Sequence, residues 1–377
     1  MSTEDLYATP VDVTKTWDVP MAGDSRFNWE YDNGRDRLLS LYQKGKDKQW
    51  DQVSRIDWSI EVDPYDSLGL PQEVMAIYGT PVWDKISEEQ KKELGRHHAA
   101  WQFSQFLHGE QGAMICAARI VESVPDLDSK FYAATQTMDE ARHAETYARF
   151  LQEKLGLVYP INDQLSKLLE ETLRDSRWDM PYLGMQVLIE GLALAAFGML
   201  RDITTKPLPK QILSYVMQDE ARHVAFGRLA LKDAYRDLTS KERDEREEFV
   251  VEACYLMRDR IRGKEVWGHV GLDEDECDSY VDDSDFMKMF RNQLFTRIVP
   301  IVKDIGLWGP KVQRAYADMG VLEMGDADLD ALMKHDEDLA EQLDRDKKEA
   351  AEVERRITEI ETTIAVGADQ ETVALAD

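Results

Sequence analysis

The chain has 377 residues, 43% of them hydrophobic, and its 74 acidic against 46 basic side chains give a formal net charge of −28 at pH 7. That length and apolar content allow a large buried core in about one to three domains. The charge repels nucleic acid and anionic membranes, so neither is expected as a partner, whereas solubility or a basic protein partner fits it.

Residues 1–90 carry Trp17, Trp29, Trp50, Trp58 and Trp83 among scattered prolines and glycines, with a short amphipathic helix predicted over 34–54. This segment reads as an irregular wrap over a larger body. From Glu88 the apolar spacing turns helical and predicts helices over 88–123, 127–156, 162–176, 181–204, 208–236 and 240–262. Breaks fall at Pro125, between Gly156 and Pro160, and between Pro207 and Pro209. An acid-rich loop over 271–285 precedes one more helix, 285–306, expected outside the main bundle. Beyond Gly325 the composition shifts to charge. There Val353, Ile357, Ile360 and Ile364 step by four and three, the spacing of a short coiled-coil seam that would join copies of the chain, or of a peripheral helix. The expected organisation is a wrap over 1–90, a helical domain over 91–310 and an acidic helical extension over 311–377.

Cys116, Cys254 and Cys277 show no paired spacing, so neither a disulfide framework nor an iron–sulfur cluster is expected, and a reducing cytoplasm is. Met1 to Ala22 lacks the basic-then-apolar order of a signal peptide. The apolar run Leu183 to Leu200 approaches bilayer length but holds Glu190 near its middle, which fits a buried bundle helix better than a membrane span.

The pentapeptide Asp-Glu-Ala-Arg-His occurs twice, at Asp139 to His143 and Asp219 to His223. A lone glutamate precedes each copy by the same interval: Glu110 stands thirty residues before Glu140, and Glu190 thirty before Glu220. On a helix, Glu140 and His143 project from one face about one turn apart, as do Glu220 and His223, so each pair is able to hold one ion. A single Glu-x-x-His is usually a surface pair or a satisfied core group. Two copies at equal spacing, each with its lone glutamate in apolar surroundings, form the inward-facing set of a two-metal carboxylate bundle. Four carboxylates and two neutral imidazoles carry about −4, which cancels two divalent ions, and mixed oxygen and nitrogen donors suit iron or manganese. Asp139 and Asp219 each stand four residues before a histidine, and each is expected to fix its own helix's ring. Arg142 and Arg222 would neutralise those aspartates.

These residues resemble the ligand motifs of the ferritin-like di-iron carboxylate superfamily over roughly residues 95–236. The thirty-residue first spacing looks most like the hydroxylase subunits of bacterial multicomponent monooxygenases. The para-aminobenzoate N-oxygenase and ribonucleotide reductase small-subunit types are also similar. The resemblance implies an all-α, ferritin-like four-helix bundle with additional helices and an irregular N-terminal wrap. It implies two iron ions, or a manganese–iron pair, at Glu110, Glu140, His143 and at Glu190, Glu220, His223, with Glu140 and Glu220 bridging. The implied chemistry is reductive activation of O2 to oxidise a small or medium organic substrate in a homo-oligomeric protein. No flavin or nicotinamide fingerprint accompanies the motif, so an external reductase or ferredoxin would supply electrons.

Three positions depart from those types. Leu194 stands where multicomponent hydroxylases carry a hydroxyl residue, and Val216 where the N-oxygenase type carries a third histidine. Tyr147 has the spacing of the reductase radical tyrosine, although that family opens its ligand set with aspartate where this chain has Glu110. Read from the residue alone, Tyr147 is a core aromatic. His97, His98 and His108 read as polar or supporting residues and not ligands. Phe106, Leu107, Met114 and Phe197 fit either core or a substrate pocket. A radical-generating subunit and an iron storage or ferroxidase protein are the alternatives.

Overall fold

Capping side chains start the long helices where the sequence pattern changes. Ser87 accepts from the Gln90 amide while the Gln90 side chain returns to the Ser87 amide, Asp126 accepts from Ser129, and Pro207 opens its helix at a position where no N–H is needed. The computed structural model describes residues 18–20, 23–28, 31 and 36–374, with side chains except those of 354 and 357–374. Trp17 and Trp29 therefore lie outside the described residues, as do the side chains of Ile357, Ile360 and Ile364.

The described residues are helical and form no sheet. The N-terminal segment contains α1 (Asp36–Asp47), α2 (Gln52–Arg55) and α3 (Pro81–Lys85). The bundle consists of α4 (Glu88–Ser123), α5 (Leu127–Phe150), α7 (Glu190–Ile203) and α8 (Pro207–Ala234), with α6 (Asp163–Arg174) in the long crossover between the two hairpins. Short loops pair α4 with α5 and α7 with α8, and α5 packs on α8, which joins the hairpins into one core. After it come α9 (Ser240–Asp259), α10 (Glu265–His269), α11 (Glu274–Val281), α12 (Asp285–Leu294), α13 (Ile298–Asp304), α14 (Pro310–Asp318) and α15 (Leu329–Ala374). The chain forms two compact units, the first ending at Leu329 and the second beginning at Asp330. The second is the acid-rich helix α15 beyond its first residue.

Four details differ from the sequence pattern. The helix predicted over 34–54 is two, because Asp51 caps a new start by accepting from Val53. The acid-rich loop contains α11, capped by Asp273. The helix predicted over 285–306 breaks before Ile298: Pro300 lacks an N–H and its ring crowds the carbonyl four residues back, so it is tolerated only in a first turn. Finally, π-helical turns end the second bundle helix at Leu151–Leu155 and begin the third at Tyr182–Ile189. The stretch Tyr182–Ile203, long and apolar enough to cross a membrane, is mostly buried in the protein core.

Candidate metal centre

Four helices bring acidic residues to one buried place because each carries them on the face that packs inside the bundle. Glu110 projects from α4, Glu140 and His143 from α5, and Glu220 and His223 from α8. Glu190 opens α7 directly after the π-helical stretch, its N–H bonded to the Met185 carbonyl five residues back. The wider turn rotates the following residues relative to a continuous α-helix, and such turns are frequent at functional sites. None of the six side chains belongs to a residue more than 5% exposed.

The six sequence-predicted residues come together as two overlapping groups. Ligand atoms of Glu110, Glu140, His143 and Glu220 lie within 4.8 Å of one another, and so do those of Glu140, Glu190, Glu220 and His223. Glu140 and Glu220 belong to both groups. Nδ1 of His143 lies 3.0 Å from Glu220 Oε1, 3.3 Å from Glu110 Oε2 and 3.4 Å from Glu140 Oε2. Nδ1 of His223 lies 3.0 Å from Glu140 Oε1 and 3.5 Å from Glu220 Oε2. Yet Glu140 Oε2, Glu190 Oε2, both Glu220 carboxylate oxygens and His223 Nδ1 have no hydrogen-bond partner. Buried polar atoms are nearly always satisfied, so atoms that converge without hydrogen-bond geometry are arranged toward a shared cation. The donor set fits two metal ions in number, charge and type.

The electrostatics agree. Burial, then the charge of Glu220, pushes the Glu110 carboxyl well up, and burial, then the charge of Glu140, does the same for Glu190. Glu140 moves down: burial opposes its charge, but the two histidines outweigh burial. Burial likewise favours neutral rings at His143 and His223, and the surrounding carboxylates overcome it and raise both. Without a cation the cluster has to share protons, which a bound ion displaces.

The aspartates act across the bundle and not along their own helices. His143 Nε2 meets Asp219 Oδ2 at 3.0 Å, and His223 Nε2 meets Asp139 Oδ2 at 3.2 Å. Each imidazole points its Nδ1 at the cluster, so its far nitrogen reaches the facing helix, where the other motif's aspartate stands. The same-helix pairing expected from the sequence is therefore replaced by a crossed one that ties α5 to α8. Arg142 Nη2 bonds Asp139 at 2.5 Å and Asp219 at 2.8 Å, and Arg222 bonds Asp219. Both aspartates and both arginines are buried, which such pairing makes tolerable.

Three supporting residues have no place in the motif. Gln136 donates from Nε2 to Glu190 Oε1 at 2.9 Å and Glu140 Oε1 at 3.1 Å. It stands one turn before Glu140 on the same face, a signal the sequence did contain. Gln49 donates to Asp139 at 2.6 Å and accepts from Arg142 at 2.7 Å, while the Trp50 indole donates to Asp219 Oδ2 at 2.7 Å. Those two belong to the N-terminal wrap, far from the motif in sequence, so no local pattern marks them.

The remaining candidates are placed as follows. His97 Nδ1 meets the Tyr159 hydroxyl at 2.7 Å and His108 Nε2 the Tyr159 carbonyl at 2.8 Å, both away from the cluster. Burial, followed by the charges of His269 and Arg96, lowers His97 to about 4, and burial lowers His98 to about 4. Tyr147 is fully buried among Phe103, Phe106 and Phe197, with no hydrogen-bond partner for its hydroxyl. Leu107 and Met114 are half-buried on α4. Phe106 and Phe197 line a small cavity against Glu110, Glu190 and Glu220. Leu194 and Val216 are buried apolar residues, so neither adds a donor.

The family model of p-aminobenzoate N-oxygenase AurF matches residues 32–306. No curated protein sequence matches. Among solved structures, the chain is similar to dimanganese(II)-NrdF from Streptococcus sanguinis, at 14% identity and TM-score 0.50, covering 80% of this chain and 99% of that one. It is also similar to two variants of an R2-like ligand-binding oxidase with an anaerobically reconstituted Mn/Fe cofactor, each at 19% identity and TM-score 0.44. These cover 75% and 74% of this chain and 96% of theirs. The likeness to NrdF speaks for the shared helical fold alone. The family match falls on the N-oxygenase type and not on the multicomponent hydroxylases that the first spacing resembles most. Matched over most of its length and folded as a ferritin-like bundle around a buried carboxylate–histidine cluster, the chain belongs to the p-aminobenzoate N-oxygenase AurF family, among the di-iron carboxylate oxidoreductases.

Proposed function

We propose that the protein is an O2-dependent di-iron oxygenase of a small or medium organic substrate, with Glu110, Glu140 and His143 holding one metal and Glu190, Glu220 and His223 the other. The observation that carries this reading is the pair of overlapping ligand groups sharing Glu140 and Glu220, beside a cavity with apolar walls. Bound iron would supply the redox and Lewis-acid chemistry that amino-acid side chains lack. The chain's own residues do the rest. Asp139 and Asp219 orient the imidazoles, Gln136 restrains Glu140 and Glu190, and Phe106, Ile189 and Phe197 keep water from the cavity.

Placing one oxygen atom of O2 in the substrate and releasing the other as water consumes two electrons and two protons. An external reductase or ferredoxin in the same reducing cytoplasm provides the electrons in this reading. The buried Tyr147 hydroxyl, without a partner and close enough to Glu110 and Glu220 to feel their charge, favours a second reading as a radical-generating subunit.

Anaerobic loading with Fe(II), a metal count, and visible absorption and radical signals after mixing with O2 test both. Two irons per chain and a transient visible band are expected. Glu190→Ala should lose one metal and all turnover; full activity in that variant would sink the ligand assignment. A stable radical signal lost in Tyr147→Phe would put the second reading first.

A further inference from the structure

Lys91, Gly95, His98, Gln102, Gln105 and Gly109 step by four and three along one face of α4. Together they line three spaces in succession. Lys91, Gly95 and His98 face a cleft of about 1040 Å³ including its mouth, formed between α4 and the N-terminal wrap. His98, Gln102 and Gln105 face an outer cavity of about 740 Å³, and Gln105 and Gly109 an inner one of about 320 Å³, both including their mouths. The inner cavity touches Glu110, Glu190 and Glu220. One face of one helix therefore leads from the surface to the cluster. Glycine is disfavoured in a helix interior. Yet a Cβ built on Gly109 would meet nothing within 4 Å among the described residues beyond its chain neighbours and the helix backbone, and one on Gly95 only the Tyr65 carbonyl at 3.7 Å, an ordinary contact. Packing within the protein requires neither glycine, and both keep the path open.

The cleft and the outer cavity meet at Leu70 and His98, which line both. Asp63, Glu88 and Lys91 stand on the cleft side, whereas Leu192, Phe286 and Phe290 wall the other. Leu70 is held in place from the bundle. The Leu68 carbonyl accepts from the Thr204 hydroxyl at 2.6 Å and the Thr205 amide at 3.3 Å, and the Gly69 carbonyl accepts from the Thr205 hydroxyl at 3.1 Å. Thr204 and Thr205 lie in the turn between α7 and α8, so Leu70 is tied to the hairpin that carries Glu190 and Glu220. The His98 ring packs against Trp101, and among the described residues none hydrogen-bonds it. Burial lowers its pKa to about 4, so the ring is neutral near neutral pH and places no charge between the two spaces.

We propose that the cleft is the entrance through which organic molecules reach the cluster, and that Leu70 and His98 form a neck that selects them by size. Past the neck a molecule leaves charged side chains for apolar walls, so it sheds water before it meets the cluster. That the traffic ends in oxidation rests on reading the cluster as the oxidising site, whereas the passage rests on its own walls. Phe286 and Phe290 of α12 also wall the outer cavity, and entry past that helix is the rival route.

Ala196 lines the outer cavity and is 4% exposed, so Ala196→Cys places a thiol beyond the neck, while Cys116, Cys254 and Cys277 are buried. The test is the rate at which methyl and benzyl methanethiosulfonate label that thiol in metal-free protein, read by mass spectrometry. In this background Leu70→Trp should slow the benzyl reagent by roughly tenfold to a hundredfold, the rate cost of forcing an overpacked contact apart, and leave the methyl reagent unchanged. His98→Ala should speed the benzyl reagent. A misfolded variant would label faster with both reagents, so selective slowing cannot come from a failed fold. Both variants should keep their full metal content when loaded with Fe(II). Benzyl labelling that is unaffected by Leu70→Trp, or is speeded by Phe290→Ala and not by His98→Ala, overturns the proposal. Selective slowing in a chain whose iron-loaded form never consumes O2 would sink the oxygenase reading and leave the passage standing.

Discussion

Asp219 is the side chain on which the second layer of the cluster depends most. It accepts from Trp50, Arg142 and Arg222 and orients His143, so one carboxylate joins the N-terminal wrap, α5 and α8. Burial works against its charge, yet Arg222, His143 and Arg142 together hold its carboxyl well below the usual range. Asp219→Asn keeps the size and removes the charge, leaving two buried guanidiniums to share Asp139. Breaking a buried charge network in this way costs about 3–5 kcal/mol. Loss of the histidine's partner should weaken metal binding about 10- to 100-fold. Urea unfolding and a chelator competition read the two effects separately. Unchanged metal affinity would mean that His143 is held in place by packing alone.

At the scale of elements, the π-helical turn before Glu190 is held by close packing that tolerates no added methyl group. A Cβ on Gly227 of α8 would lie 2.5 Å from the Gln186 Cβ within that turn. Gln186 in turn donates to Gln136 at 3.4 Å, and Gln136 donates to Glu140 and Glu190. Alanine is favoured over glycine in a helix interior by about 1 kcal/mol. Overpacking costs about 1–3 kcal/mol. Gly227→Ala is therefore expected to lower the melting temperature and to reduce metal content, through movement of Gln186 and then Glu190; a rise in melting temperature with two metals retained would show that the turn yields freely. This is also where sequence and structure part. The bundle helices, their breaks and the ligand faces follow from periodicity, prolines and a duplicated motif, all local signals. A π turn is one extra residue in a hydrogen-bond ladder and leaves an apolar run such as Leu183 to Ile189 looking like any buried helix. The crossed aspartates and the contributions of Gln49 and Trp50 depend on which helices face each other, and a spacing rule within one helix cannot encode that.

At the scale of the whole molecule, the cluster and the stripe predicted near the C-terminus lie in different compact units. Every cluster residue, the aspartates and arginines around them, Gln49, Trp50 and both cavities precede Leu329, whereas the helix from Asp330 onward belongs to a second compact unit. A chain ending at Leu329 should consequently bind the same two metals as the full chain. The steps of four and three between Val353, Ile357, Ile360 and Ile364 would put apolar residues on one stripe, which the sequence leaves open to pairing with a copy or to lying on the body as a peripheral helix; if it pairs, the truncation loses that pairing instead. Val353, the one seam residue whose side chain is described, is 56% exposed. The surrounding acids oppose that pairing, because two copies bring like charges together, and salt screens this repulsion within about 10 Å at 0.1 M. Light scattering should therefore find a larger assembly for the full chain that strengthens with added salt. Ile360→Glu should abolish it with no change in metal content. Assembly unaffected by both the truncation and Ile360→Glu would place the contact between copies in the first unit and leave the seam as the buried stripe of a peripheral helix.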